Sequence, residues 1–324
     1  MNTVLAMAHR GSLRHREHGS MLSTQQNGAS PKASLPRSHQ PSAWASHRQV
    51  KILLFSQWVT VLLCALGAVG TYLAMTNARR NNDVSFVNWS WNWTFITNLD
   101  TSPAWTLYLN TGSDGNDIYD SCGSTDPDLA FQPRYWSEGS VIQILLVAAT
   151  QSIVTLAMLT AELLVNLQRD ESFWRRATSR KGCSLAGYNS FLEVIRSPFA
   201  LFLFAAKAII HWYFGQAIIP TYDAIECPEG VFWATGKPYI RFELAQLVYL
   251  AILLLAFACT FTWISCRKPV GPQPATYGHL QSLMDLIDEW HPTMYWGHKV
   301  DGEICRAGIS RFPLREVKKG SLYW

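Results

Sequence analysis

Hydrophobic residues are concentrated in four long segments, residues 52–75, 141–161, 198–219 and 244–265, which polar stretches separate. A helix needs about 20 mainly apolar residues to cross a bilayer, because the hydrocarbon layer is ~30 Å thick and a helix rises ~1.5 Å per residue. The first, second and fourth segments contain no charged residue, which is rare in a buried helix of a soluble protein. The pattern predicts an all-α integral membrane protein with a bundle of four transmembrane helices in residues 50–265.

The third segment is interrupted by Lys207 and His211. A central lysine costs ~3 kcal/mol on insertion scales, whereas the Leu, Ile and Phe side chains of this segment together return about 3–6 kcal/mol. We therefore expect the third segment to insert into the membrane despite its lysine.

The connections between the segments differ strongly in their content of Lys and Arg. Residues 1–51, 162–197 and 266–324 together contain 21 basic residues, against 5 in the loops 76–140 and 220–241. Basic residues flanking transmembrane helices remain in the cytoplasm. The charge pattern predicts that both termini are cytoplasmic and that the two loops poor in basic residues are external.

The composition supports a membrane protein, since 48% of the residues are hydrophobic and only 15% are charged, compared with roughly 25% in a soluble domain. Residues 1–49 are rich in Ser, His, Gln, Arg and Pro, which predicts a disordered cytoplasmic N-terminus. A basic, acid-poor start is also typical of mitochondrial transit peptides. The expected location is the plasma membrane or a membrane of the secretory pathway, with the mitochondrial inner membrane as the alternative.

The first external loop contains two N-glycosylation sequons, at Asn88 and Asn92. Each external loop also contains one cysteine, Cys122 and Cys227, and an oxidising compartment favours a disulfide between them. Unmodified asparagines and unpaired or intermolecular thiols are the alternatives. If both modifications are present, the protein is a disulfide-bonded glycoprotein.

The C-terminal tail, residues 266–324, contains two further candidate features. Cys266 directly follows the fourth segment and is a candidate S-palmitoylation site. Apolar residues recur at helical spacing in residues 278–290, which predicts a short amphipathic helix that docks on the membrane surface, on the cytoplasmic loop or on a partner. The tail also contains His279, His291, His298 and Cys305, but their spacing matches no compact zinc motif, so no metal site is predicted.

Three stretches of the tail, 274–281 (PATYGHLQ), 285–290 (DLIDEW) and 294–299 (MYWGHK), carry a resemblance to known sequences. They resemble a segment of uncharacterised multi-pass membrane proteins of filamentous fungi. The resemblance implies a fungal membrane protein and supplies no functional residue.

Polar groups at mid-membrane depth are the remaining candidates for a functional site. Lys207 and His211 are four residues apart and share one face of the third helix, at depths that we expect to match Gln151 and Gln246. Such groups either hold a helix bundle together through polar pairs or line a path for protons or anions.

The sequence shows no nucleotide-binding loop, no Ser/His/Asp, HExxH or CxxC arrangement and no nucleic-acid-binding patch. No catalytic residue and no cofactor are therefore predicted. We expect a non-catalytic structural or interaction protein that acts through its external loops and cytoplasmic tail, with a channel or transporter component based on Lys207 and His211 as the alternative. The expected partners are the lipid bilayer and a protein bound by the tail or a second copy of the chain, and not nucleic acid.

Overall fold

In the computed structural model, four long helices dominate the described part of the chain. These are α1 (Arg48–Arg80), α2 (Glu138–Ala177), α3 (Pro198–Ala217) and α4 (Leu244–Cys266), and a helical turn at Ala43–Ser46 precedes them. The structure describes residues 33, 35–46, 48–80, 104–108, 138–184, 198–222, 225–226, 232–233, 238–274, 276, 283, 285–289 and 291–323.

Each of the four helices is long and apolar enough to cross a membrane. The four predicted hydrophobic segments are thereby confirmed as helices, except that Ile218 and Ile219, at the end of the third segment, belong to a strand. The 40 residues of α2 correspond to a length of about 60 Å, which is roughly twice the thickness of the hydrocarbon layer. A large part of α2 is therefore available for contacts beyond the apolar segment.

Strands from both predicted external loops form one antiparallel sheet, which we call the loop sheet. Its strands are β1 (Ala104–Tyr108), β6 (Pro238–Glu243) and β3 (Ile218–Tyr222), in the order β1-β6-β3. β3 follows α3 without a linker, and β6 leads directly into α4. A separate pair consists of β4 (Ile225–Glu226) and β5 (Phe232–Trp233).

A second antiparallel sheet, which we call the tail sheet, lies mainly in the C-terminal tail. It contains β2 (Cys183–Ser184), β7 (Thr293–Val300) and β8 (Arg306–Ser310), in the order β2-β7-β8. The ladder between β7 and β8 is irregular between His298 and Val300. β2 belongs to the connection after α2, so the tail sheet joins two segments that are distant in sequence.

The chain divides into two compact units. The first consists of Met1–Ser56, Leu159–Phe204 and Cys259–Trp324, and it contains the tail sheet. The second consists of Gln57–Met158 and Ala205–Ala258, and it contains the loop sheet.

The first unit has a hydrophobic core that the tail shares with the end of α2. The core residues are Trp174, Ala177, Cys183, Leu283, Leu286, Ile287, Met294, Trp296, Cys305, Ala307, Ile309, Val317 and Tyr323. Trp174 is completely buried, and its indole Nε1 donates a hydrogen bond of 3.2 Å to Thr276 Oγ1. The described part of the tail therefore folds around its own core and around the last turns of α2.

The described residues of the segment 278–290 contribute to this core. Leu283 and Leu286 are helical and buried, and Ile287 is buried beside them. On the polar side, Asp288 Oδ1 accepts a hydrogen bond of 2.8 Å from the Ile309 amide of β8. The sheet that these residues pack against was not predicted from the sequence.

The first unit also joins the residues before α1 to those after α4. The amide of Gln40 donates to the carbonyl of Pro269 and the amide of Gly271 donates to the carbonyl of Ser38, each at 2.9 Å. His39 and Val270 thereby form an antiparallel bridge. The two ends of the helical region are consequently held next to each other.

Candidate functional site

Four of the predicted site residues, Asn88, Asn92, Cys122 and Cys227, lie outside the described residues. The glycosylation sites and the external disulfide therefore remain predictions. None of the five cysteines in the described part of the chain, Cys64, Cys183, Cys259, Cys266 and Cys305, is in a disulfide bond.

Cys266 is the last residue of α4 and is exposed. The Arg267 amide still donates to the carbonyls of Trp263 and Ile264, so the helical hydrogen bonding ends at the predicted boundary. This geometry leaves the Cys266 thiol accessible, and its palmitoylation remains a prediction.

The predicted intramembrane polar residues have different environments in the second unit. Lys207 and His211 are half-buried on α3, Gln246 is buried on α4, and Gln151 is exposed on α2. The two roles considered for Lys207 and His211, ion conduction and holding the bundle together, stay predictions.

A buried ion pair that the sequence analysis missed lies where β6 meets α4. Arg241 Nε donates a hydrogen bond of 2.5 Å to Glu243 Oε1, and the Glu243 side chain is almost completely buried. Burial raises the pKa of Glu243 to about 7, although the charge of Arg241 acts in the opposite direction. Gln143 of α2 forms hydrogen bonds to β3 and β6. Its Nε2 donates to the carbonyls of Thr221 and Tyr239 at 3.0 and 2.8 Å.

The described part of the tail contains a cluster of polar side chains that includes several possible metal ligands. We call it the His298 cluster, and it consists of His298, Asp301, Cys305, Lys318 and Tyr323. One ligand atom each from His298, Asp301 and Cys305 lies within 4.8 Å of the other two. His298 and Cys305 are buried, whereas the side chain of Asp301 is 67% exposed. The cluster therefore reaches from the tail core to its surface.

The backbone of the tail fixes the positions of these side chains. The His298 amide donates to the carbonyl of Arg315 and the Cys305 amide donates to the carbonyl of Leu322, each at 2.8 Å. The contact between His298 and Arg315 requires a glycine at position 297, because a Cβ on Gly297 would lie 2.5 Å from the Arg315 carbonyl oxygen. These contacts bring three segments together at the irregularity in β7.

Both ring nitrogens of His298 have hydrogen-bond partners. Nε2 lies 3.1 Å from Asp301 Oδ1, and Nδ1 lies 2.8 Å from the Tyr323 hydroxyl. An ionised carboxylate only accepts hydrogen bonds, so Nε2 must carry a proton. In the neutral imidazole Nδ1 is then the acceptor, and the Tyr323 hydroxyl donates to it while accepting from the Lys318 amide at 2.9 Å.

The charges around the cluster stabilise this proton arrangement. The hydrogen bond from Lys318 Nζ to Asp301 holds the pKa of Asp301 below its usual value and raises the pKa of Lys318. Burial raises the pKa of Tyr323, so the phenol keeps its proton at neutral pH. The cluster thus contains an anionic carboxylate, a cationic lysine, a neutral phenol and a thiol.

This geometry argues against nucleophilic catalysis by Cys305. A catalytic thiol needs a base within hydrogen-bond reach, but both nitrogens of His298 are directed to other partners. The contact of Cys305 Sγ is instead with the Gly302 carbonyl, at 3.8 Å. The nitrogen, oxygen and sulfur donors are those of a transition-metal site.

His298 and Cys305 were candidate metal ligands from the sequence, but Asp301 was not. The signal that was available is the short spacing of the three residues within one stretch, His298-x2-Asp301-x3-Cys305. His291, which was also considered, lies elsewhere and contacts Glu289 Oε2 at 3.0 Å through its Nε2. His279 lies outside the described residues.

A second polar network connects β7 to the segment before it. Lys299 Nζ donates to Asp288 Oδ2 at 2.6 Å, to Glu289 Oε1 at 2.5 Å and to the Ile309 carbonyl at 3.1 Å. Together with the bond from the Ile309 amide to Asp288, this network fixes residues 288–289 against β7 and β8. Its role is structural.

Comparison of the chain with known protein families, with curated proteins and with solved structures gives no match. The resemblance of residues 274–299 to fungal membrane proteins therefore stays a prediction. The function has to be argued from the geometry of this chain alone.

Proposed function

We propose that this chain is an integral membrane protein with four transmembrane helices and cytoplasmic termini, and that it acts as a non-catalytic structural or interaction protein. The proposal rests mainly on how the connections between the four helices associate. The segments that the charge pattern assigns to one side of the membrane pair only with segments assigned to the same side, within the described residues.

Two pairings support a common side for the basic segments. Residues 38–40, before α1, bond to residues 269–271, after α4. β2, after α2, pairs with β7 of the tail. If the segments of each pair lie on the same side of a bilayer, the chain must cross the bilayer an even number of times between them.

The loop sheet supports the same topology from the other side. β1 lies between α1 and α2, while β3 and β6 lie between α3 and α4, and the three strands form one sheet. Backbone groups of strands are satisfied in a lipid environment only in closed structures, so an open three-stranded sheet belongs outside the hydrocarbon layer. The pairing of these strands thus supports a common side for both acidic loops.

The folded tail is the feature that favours an interaction role. Trp174 of α2 lies in the same core as Trp296 and Tyr323 of the tail, so the tail is attached to the membrane helices as an ordered module. An ordered module of this kind offers a fixed surface to a partner protein or to a second copy of the chain.

Flux and topology measurements test the proposal together. The purified full chain is reconstituted in vesicles, and proton and anion flux are compared with protein-free vesicles. The proposal expects no added flux, both for the natural sequence and for Lys207→Leu. Flux that is present in the natural sequence and lost or altered with pH in Lys207→Leu would establish the channel alternative instead.

An epitope tag at either terminus of the full chain in intact cells tests the topology. We expect that external protease leaves both tags intact until the membrane is permeabilised. Digestion of either tag in intact cells would contradict the four-span arrangement with cytoplasmic termini.

A further inference from the structure

We propose that His298, Asp301 and Cys305 form a binding site for a divalent transition metal of the zinc class. The three residues would supply one imidazole nitrogen, one carboxylate oxygen and one thiolate sulfur, and water would complete a tetrahedral shell. The proposal goes beyond the membrane function and does not depend on the topology of the chain.

The distances between the three donor atoms are close to those that a metal requires. His298 Nε2 and Asp301 Oδ1 are 3.1 Å apart, and one ligand atom from each of the three residues lies within 4.8 Å of the other two. Zinc binds nitrogen and oxygen at about 2.0–2.2 Å and sulfur at about 2.3 Å, which places ligands of a tetrahedral site roughly 3–4 Å apart. A contraction of about 1 Å brings ligand atoms that are 4.8 Å apart into this range.

The surroundings of His298 are those of a metal-binding histidine. Metal-bound histidines almost always use their second ring nitrogen in a hydrogen bond that fixes the orientation of the ring. Tyr323 provides that contact at Nδ1. Its phenol is itself fixed by the Lys318 amide, so the ring is positioned before a metal arrives.

Metal binding at Nε2 would move the imidazole proton to Nδ1. The Tyr323 oxygen would then accept from Nδ1 as well as from the Lys318 amide, which its two lone pairs allow. The thiol of Cys305 would lose its proton to solvent, because the thiolate is the form that binds metals. The net reaction releases one proton for each metal ion bound.

Lys318 is the group that competes with the metal. Its Nζ contacts Asp301 Oδ1, the same oxygen that faces His298. The Lys318 side chain is 45% exposed, so it can turn into solvent when a divalent cation neutralises Asp301. Lys318 should therefore weaken metal binding without preventing it.

The donor set selects the class of metal. Calcium and magnesium prefer shells made of oxygen atoms only, whereas a thiolate and an imidazole favour zinc and its neighbours in the first transition series. Cobalt(II) is the useful probe, because it accepts the same ligands as zinc and a cobalt–thiolate bond gives a sulfur-to-metal charge-transfer band.

The test is a titration of the purified full chain with Co²⁺ alone, in detergent and in the presence of a phosphine reductant. We expect one Co²⁺ per chain, a charge-transfer band, and displacement of the cobalt by Zn²⁺ but not by Mg²⁺. In Cys305→Ser the band should disappear. In Asp301→Asn, whose exposed side chain lies outside the core, the affinity should fall by at least ~10-fold.

Two further variants make the result specific. Cys183→Ser removes another buried cysteine of the same core and should keep the band. Lys318→Ala removes the competing cation and should bind Co²⁺ several-fold more tightly. The proposal is overturned if the natural chain shows no band, if the band survives in Cys305→Ser, or if Lys318→Ala binds Co²⁺ more weakly.

Discussion

Glu243 and Arg241 form a buried ion pair whose protonation links the stability of the protein to pH. The pKa of Glu243 is raised from its ordinary value of 4.5 to about 7, mainly by burial. Between these two values the folded state retains a proton that the unfolded state has lost. The stability that this group contributes is therefore present below pH 4.5 and is lost as the pH rises through about 7.

We predict that Glu243→Gln removes this part of the pH dependence. The amide keeps an acceptor for Arg241 but does not titrate, so the thermal stability of the variant should fall less between pH 4.5 and 7. The measurement is the unfolding temperature of the detergent-solubilised chain across this range, taken as the difference between variant and natural sequence. The pKa values of Asp301 and Glu289 are lowered, so these two carboxyls titrate below their ordinary pKa values. They therefore affect stability at pH values below the range from 4.5 to 7.

Glu303→Gln, at an exposed carboxyl of the β7–β8 connection, is the matched control and should leave the profile unchanged. A profile for Glu243→Gln that is parallel to that of the natural sequence would show that Glu243 does not hold its proton.

The convergence of some residues in the fold could not be predicted from the sequence. The spacing of His298, Asp301 and Cys305 is visible in the sequence, but their convergence depends on contacts with Arg315, Leu322 and Tyr323. Those contacts lie 17 to 25 positions away from their partners and follow from no local pattern. The burial of Glu243 was likewise hidden, because nothing in the local sequence shows that β6 lies between β1 and β3 in a sheet.

At the level of elements, the helices were predictable and the strands of the tail were not. A long apolar run is a strong signal, and all four such runs are helices, including the third one, which Lys207 and His211 interrupt. In β7 the buried positions Met294, Trp296 and His298 do alternate with the half-exposed Thr293, Tyr295 and Lys299. The sequence hides this period of two, because the half-exposed Tyr295 is aromatic and the buried His298 is polar.

The tail packs against the C-terminal end of α2, where Trp174 is completely buried in their shared core. We predict that Trp174→Ala destabilises the tail by ~3–5 kcal/mol, because the substitution removes a completely buried ring and leaves a cavity. Trp174→Phe should cost less, since it keeps the ring contact with Phe173 and loses chiefly the bond to Thr276.

Hydrogen exchange of residues 291–323 in the full chain, followed by mass spectrometry, measures this effect. Destabilisation by ~3 kcal/mol should accelerate exchange in the most protected part of β7 and β8 by roughly a hundredfold. Trp263→Ala, at the exposed Trp263 of α4, is the control and should leave exchange in the tail unchanged. Equal protection in Trp174→Ala and in Trp263→Ala would mean that the tail is stable without α2.

For the whole molecule, the bridge between His39 and Val270 gives the most direct test of the topology. The bonds from Gln40 to Pro269 and from Gly271 to Ser38 flank these two residues, so they form a pair without mutual hydrogen bonds. The Cα atoms of such a pair lie about 4.5 Å apart, which is within the range that a disulfide can join. The bridge closes a ring that contains all four helices.

We predict that His39→Cys with Val270→Cys, combined with Cys259→Ser and Cys266→Ser, forms an intramolecular disulfide under mild oxidation. After a protease cut between α1 and Cys122, which keeps the predicted Cys122–Cys227 disulfide within one fragment, the two fragments should migrate together without reductant and separate with it. Leu35→Cys with Val270→Cys is the control pair and should link poorly, because Leu35 lies beyond the bridge. In sealed vesicles of known orientation, both thiols of the reduced pair should react with a membrane-impermeant reagent from the same side, which we expect to be the cytoplasmic side. Labelling of the two positions from opposite sides would require an odd number of crossings and would exclude the four-span arrangement.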